Sequence, residues 1–251
     1  VIEGPVTVGP GCVLHSQVKL RGPLTLGARN QVHSFAVIGD WPQDRKFDNT
    51  YSQTVIGDDN IFREHVTIHR ATGKDKITQI GHRNYLMVGA HIGHNCTVGN
   101  DITMVNGSML AGHVQVMDRA IIGASCAIHQ FCRVGRLAMI SGVSAHSVDI
   151  TQSRITMNIN LLTQLNVVGL RRSGMPKESV NGIRRMFQHL FRNHRMLKPA
   201  IADLPADLLA IPEVQEFVAF CQSSKRGVAR FQFWSARGQA MDNEETEDGQ
   251  L

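Results

Sequence analysis

Aromatic residues are scarce in this sequence, at 6% of 251 positions, and its five cysteines show no paired spacing. The first shortage argues against a thick globular core. The second argues against a disulfide framework or a Cys-based metal motif. No apolar run approaches the roughly 18 residues that span a bilayer, and no signal peptide is visible. Membrane-spanning and secreted classes are therefore set aside, and the cytoplasm is the expected compartment. An initiator Met is also lacking: the chain opens at Val1 with Ile2 already in phase with the repeat described next, which points to earlier coils trimmed away.

What the sequence does have is a period of six. One aliphatic or methionine residue recurs at Ile80, Leu86, Ile92, Val98, Met104, Leu110, Val116, Ile122, Ile128, Val134 and Ile140. The same frame runs back through Ile68, Phe62 and Ile56, and from Ile38 to Ile2. Six matches neither the helical period of about 3.6 nor a lone strand. A fixed period over many repeats marks a solenoid whose units bury their apolar faces by stacking. Glycine follows several markers (Gly27, Gly57, Gly81 and Gly99 among them), where a corner is expected to need freedom in φ. A small or β-branched residue precedes the marker by two, including Cys96, Cys126 and Cys132, which are read as buried, reduced thiols. This is a hexapeptide-repeat parallel β-helix with three short strands per coil. About twenty inward positions, at roughly 1.5–3 kcal/mol each when fully buried, offset the ordering of such a chain.

The predicted organisation is mainly β with an α C-terminal part. Residues 1–165 form the β-helix, interrupted by polar excursions at 39–55 and 70–79, and loops on a rigid scaffold are where sites concentrate. Residues 145–170 keep no strict period and read as a closing coil and connection. Residues 170–238 read as a small helical domain covering the open end of the solenoid. Its helices are expected after Met175-Pro176, over Pro199–Leu209 and over Pro212–Gln222, with a last extended segment at Gly227–Trp234. From Arg171 to Arg237 there are 12 Lys+Arg against 5 Asp+Glu, whereas 239–251 is an acidic tail expected to be disordered. The basic lobe fits an acidic partner, and no nucleic-acid-binding motif accompanies it.

Twelve histidines are a rich allotment, and they gather near the repeat. His69, His91, His94, His113 and His129 flank inward positions, and in an 18-residue coil His94, His113 and His129 fall on one edge in successive coils. His15 and His33 read as surface residues. Neutral imidazoles can bind zinc, but no carboxylate or Cys within the motif completes a ligand set, so no metal or other cofactor is expected. Alternatively, a histidine removes a proton from a hydroxyl that attacks an activated acyl group, with the N–H in Ala111-Gly112-His113 receiving the oxyanion.

Five stretches carry a resemblance: Ile68-His69-Arg70, His91-Ile92-Gly93-His94-Asn95, Leu110-Ala111-Gly112-His113, His129-Gln130-Phe131-Cys132 and Gly169-Leu170-Arg171-Arg172-Ser173-Gly174. In this order the chain resembles the acyl-[acyl-carrier-protein]–UDP-N-acetylglucosamine O-acyltransferase family, which begins lipid A synthesis. The resemblance implies a left-handed β-helix and a homotrimer with sites between subunits. It implies that His94 is the general base for the sugar 3-hydroxyl, which attacks a 3-hydroxyacyl thioester on acyl carrier protein, and that the Gly112 amide binds the oxyanion. It also implies that Asp44, Lys46, His69, His91, His113, His129 and Gln130 line the cleft. Asn166, Arg171 and Arg172 would lie near the UDP, and Met87, Met139 and Gly142 along the acyl groove. Three departures stand out: Asn95 where Asp is frequent, Val168 where Glu is common, and an altered stretch at Asp149–Asn160. They leave open a 3-amino sugar nucleotide as acceptor. Further away stands a metal-dependent β-helix enzyme of γ-carbonic anhydrase type.

Overall fold

A computed structural model describes residues 1–191 and 196–231. The acidic tail, and Trp234 of the last extended segment, lie outside the described residues.

Strands of two to five residues stack into three sheets of eight, seven and ten strands among the described residues, parallel except for one pair near the end of the third. The first holds His91–Ile92 and Met109–Leu110, the second Thr97–Val98 and Gln115–Val116, the third Thr103–Met104 and Ile121–Ile122. Each turn of chain visits all three, so a coil is 18 residues: Ile92 pairs with Leu110, and Leu110 with Ile128. The fold is a left-handed parallel β-helix followed by a helical part. From Leu20 onward the hexad markers point into the prism and are almost fully enclosed, with Ile92, Leu110 and Ile122 at 0% exposure, whereas Ile2, Val8 and Leu14 of the first coil are exposed. Cys96, Cys126 and Cys132 fill the second inward column beside them.

Corners turn on a left-handed residue, but of the glycines expected there after the markers only Gly39 has positive φ (84°). Positive φ falls three residues after the marker, as at Asn95 (59°), His113 (63°) and Phe131 (65°). Gly27 and Gly99, directly after their markers, are needed for space instead. A Cβ there would strike the side chains of Asp58 and Asp118 in the next coil.

Both excursions leave the same corner, between the first and second sheets: Val37–Asp40 leads to Ser52–Ile56, and Thr67–His69 to Lys76–Ile80. They enlarge their coils by whole hexads, since Ile38 pairs with Ile68, and Ile68 with Ile92. At the corner between the second and third sheets, the buried amides of Asn30, Asn60 and Asn84 form a column. Asn60 Nδ2 donates to Asn30 Oδ1 at 2.9 Å, and the Asn84 backbone N–H donates to Asn60 Oδ1 at 2.9 Å.

The six-residue signal fades after Ile140 because His146 occupies the marker position, in register with Ile128. Its ring is enclosed and lies 3.1 Å from Thr156 Oγ1, and burial pushes its pKa down to about 4 from 6.5. A histidine kept neutral by folding contributes stability that is complete above about pH 6.5 and is lost as pH falls towards 4. From this shift the loss amounts to about 3 kcal/mol. We expect urea unfolding at pH 4.5 to show a lower midpoint than at pH 7, and His146→Leu to narrow that gap.

The third sheet ends in an antiparallel hairpin, Arg154–Met157 with Leu161–Leu165, and Arg230–Phe231 adds a parallel strand to its outer edge. The helices are α1 (Val167–Arg172), α2 (Lys177–Phe191), α3 (Leu197–Ala202), α4 (Ala206–Leu209) and α5 (Pro212–Gln222). The single helix expected over Pro199–Leu209 is two, because Pro205 disfavours helical backbone at Leu204. The short α1 was not expected: Val167, Val168 and Gly169 are weak helix formers, and the segment starts on the side-chain cap of Asn166. The helices pack on the last coils through Leu137, which joins Leu170, Ile183, Met186 and Phe217 in a second core. Arg136 pairs with Glu216 at 2.6 Å across the same junction. Arg154 is fully enclosed there, its guanidinium 4.2 Å from the Phe187 ring centre and 5.2 Å from that of Phe217.

Candidate active site

The corner that carries both excursions also carries the histidines. Register places His94, Gly112 and Gln130 in one column, two residues past Ile92, Leu110 and Ile128. Asn95, His113 and Phe131 form the next column, and His69 and His129 stand one residue past their markers. The three histidines expected on one edge therefore share that corner but occupy three adjacent columns. The rings of His94 and His113 meet edge to face at 5.2 Å, and His113 stacks on Phe131 at 4.6 Å.

A cavity of about 580 Å³ opens here, lined on its polar side by Gln43, His69, His91, His94, His129 and Gln130. Gly112 forms part of the wall, and Met109, Ala127 and Ala145, outward residues of successive strands in the first sheet, supply an apolar floor. His113 lies behind His94. Asp44 and Lys46 sit in the first excursion beside Gln43, close enough that Asp44 and His94 act on each other electrostatically. The Lys46 N–H, 2.9 Å from Asp44 Oδ1, holds that carboxyl below its usual range. Gln43 was missed as a site residue, although its neighbour Asp44 was selected. The floor was missed because outward strand positions carry no periodic signal.

Burial sets the charge state of the row. His91 is pushed down to about 4, chiefly by desolvation and then by His69 and His94, and its Nδ1 lies 2.7 Å from Thr67 Oγ1. His69 and His113 are also lowered, desolvation leading in both. These rings are neutral hydrogen-bonding groups at pH 7.

His94 Nδ1 lies 2.7 Å from Asn95 Oδ1. That oxygen is identified by its bond from the Thr72 N–H (2.9 Å), while Asn95 Nδ2 donates to Thr72 O (3.0 Å). An amide oxygen only accepts, so His94 carries its proton on Nδ1 and presents a bare Nε2. Nε2 faces Gly112, where an added Cβ would stand 2.5 Å from it. Among the described residues the Gly112 N–H has no hydrogen-bond acceptor, while its carbonyl accepts from Phe131 N at 3.1 Å. The bare Nε2 of His94 and the unbonded N–H of Gly112 thus belong to neighbouring residues of one cavity wall. His129 accepts from Arg226 at 3.2 Å, a tie to the C-terminal part that sequence reasoning did not provide.

The other selected residues lie elsewhere on the chain. Asn166, Arg172 and Met139 line a groove of about 770 Å³ on the third sheet, together with Asp101, Arg119 and Val168. Both ends of the Asn166 side chain are engaged: Oδ1 accepts from Gly169 N and Nδ2 donates to Leu137 O, each at 2.9 Å. Arg171 points to solvent on α1. Met87 and Gly142 stand at the corner between the third and first sheets, and Gly142 is exposed. Among the described residues no three His, Cys, Asp or Glu side chains are grouped to hold a metal ion, and no helix is long and apolar enough to cross a membrane.

Residues 156–229 match the profile described as UDP N-acetylglucosamine O-acyltransferase, domain 2. A Synechocystis protein named acyl-[acyl-carrier-protein]–UDP-N-acetylglucosamine O-acyltransferase is 38% identical over 208 residues, covering 82% of this chain and 75% of that protein. One of the same name from Anaeromyxobacter dehalogenans is 39% identical over 194 residues, 76% of each chain. Among solved structures, the Francisella novicida UDP-N-acetylglucosamine acyltransferase superposes with a TM-score of 0.86 at 35% identity, over 92% of this chain and 85% of that one. The Bacteroides fragilis UDP-N-acetylglucosamine acyltransferase gives 0.83 at 31%, over 91% and 95%.

Proposed function

The chain belongs to the acyl-[acyl-carrier-protein]–UDP-N-acetylglucosamine O-acyltransferase family, and we propose how its own residues carry out that transfer. The enzyme moves a 3-hydroxyacyl chain from acyl carrier protein to the 3-hydroxyl of UDP-N-acetylglucosamine, the first step of lipid A biosynthesis. His94 Nε2 takes the proton of that hydroxyl as its oxygen attacks the thioester carbonyl. The carbonyl oxygen gains negative charge and is received by the Gly112 N–H. The intermediate then collapses, the C–S bond breaks, and the His94 imidazolium returns a proton to the departing thiolate. His69, His91 and Gln130, with neighbouring Asp44 and Lys46, hold the sugar and thioester. The observation that carries this reading is the bare Nε2 of His94 facing Gly112 in the cavity.

Arg172 suits the diphosphate, since a guanidinium matches phosphate oxygens. With both ends of its side chain engaged, Asn166 serves there by fixing the start of α1. The groove holding Arg172 and the cavity holding His94 occupy different faces of one prism. A bound sugar nucleotide reaches both only if a second copy brings its third sheet against the His94 corner. A closed ring of three copies meets this need at every site. The enzyme would work in the cytoplasm, with the acidic acyl carrier protein drawn to the basic C-terminal part. The names of the relatives favour O-acylation over transfer to a 3-amino sugar and over γ-carbonic anhydrase chemistry.

The direct test is transfer from acyl carrier proteins loaded with graded 3-hydroxyacyl chains to UDP-N-acetylglucosamine. Acylated sugar nucleotide is the expected product, and none with any chain would refute the reading. Light scattering should give the mass of three copies.

A further inference from the structure

We propose that Asn95 is a positioning residue whose side-chain amide holds the His94 imidazole and both backbone polar groups of Thr72 as one unit, a task that a carboxylate cannot perform. The inference rests on the reading of His94 as the base. Oδ1 accepts from His94 Nδ1 (2.7 Å) and from Thr72 N–H (2.9 Å), and Nδ2 donates to Thr72 O (3.0 Å). The Asn95 backbone N–H donates to Thr78 Oγ1 at 2.8 Å, so one residue grips the second excursion near both of its ends. Asn95 itself sits at φ 59°, a conformation that Asn tolerates far better than most residues. The second excursion thus meets the base through this amide.

A carboxylate at this position would keep two acceptor roles but would lose the donor to Thr72 O and set a negative charge against that carbonyl. It would also place a full charge on His94 Nδ1–H, which favours the imidazolium. The groups facing His94 are His113 edge-on, His91 and His69 within electrostatic reach, and Asp44, on which Lys46 acts. With the three rings neutral at pH 7, Asp44 and Lys46 supply the ionised environment of the base. The amide adds none, so orientation is its contribution.

Two variants separate these roles. Asn95→Gly keeps the left-handed backbone without strain and removes the amide. Asn95→Asp keeps the size and adds charge. The measurements are the pH profile of kcat/KM for acyl transfer, the NMR titration of the His94 ring, and hydrogen exchange at the Thr72 amide. Asn95→Asp should move the acidic limb and the His94 titration upward by about one pH unit. Asn95→Gly should lower kcat about tenfold or more through a misplaced base, with the KM for the sugar nucleotide little changed. Thr72 amide exchange should quicken in Asn95→Gly, which removes its acceptor, and stay near the native rate in Asn95→Asp, which keeps it. Unchanged Thr72 exchange in Asn95→Gly, or an unmoved titration in Asn95→Asp, would overturn the proposal. If the unaltered enzyme transfers no acyl group, the proposed function fails, while the titration and exchange measurements still decide the clamp.

Discussion

His94→Ala is expected to lower turnover by about 10²–10⁴-fold, the usual contribution of a positioned general base. Folding should be untouched. His94 faces the cavity at a corner and is absent from the inward columns, where Ile92 and Cys96 do the packing. Its ring contacts are an edge with His113 and one bond to Asn95, both small beside the stacked core. Measuring the transfer rate together with the thermal unfolding midpoint checks both halves. Near-normal turnover in a folded His94→Ala protein would remove the base from the mechanism.

Gly112→Ala is the second large effect, expected at about 10²–10³-fold: alanine keeps the backbone N–H, but its methyl displaces the His94 ring and obstructs the approach to that donor. The backbone at Gly112 lies outside the left-handed region, so alanine brings no φ strain. The nearest atoms to a new Cβ all belong to the His94 ring: Nε2 at 2.5 Å, Cε1 at 2.6 Å and Cδ2 at 3.1 Å. The imidazole must swing away, which breaks its bond to Asn95 and fills the space where hydroxyl and thioester meet. Since one methyl disables base and oxyanion donor together, the double variant His94→Ala/Gly112→Ala should be little slower than the worse single one. Additive losses would mean that the two groups act apart.

The solenoid was legible because its force is periodic: every sixth residue must be apolar for coils to stack, and the column from Ile80 to Ile140 obeys this without a miss. The histidine corner was legible because 18-residue coils convert spacing into position. What escaped the sequence lies where local rules compete. Glycines placed for φ were needed for room beside Asp58 and Asp118. The marker at His146 hid the last coil, and α1 is too short to show a helical face. Asn95 read as a missing carboxylate, whereas the coordinates reveal an amide with a donor in use, which no spacing announces. The separation of His94 from Arg172 and Gly142 also escaped, since linear order does not say which corner a residue will face.

The column of Asn30, Asn60 and Asn84 has a consequence for how such enzymes can diversify. It spans the two enlarged coils, 30 and 24 residues long by its own spacing, and stands at a corner away from both excursions. Register is thereby fastened independently of the loops, so segments within 39–55, and within 70–79 apart from Thr72 and Thr78, can be lengthened, shortened or exchanged while the coil carrying His94 keeps its place in the stack. Substrate preference can drift in the loops without the chemistry losing its footing.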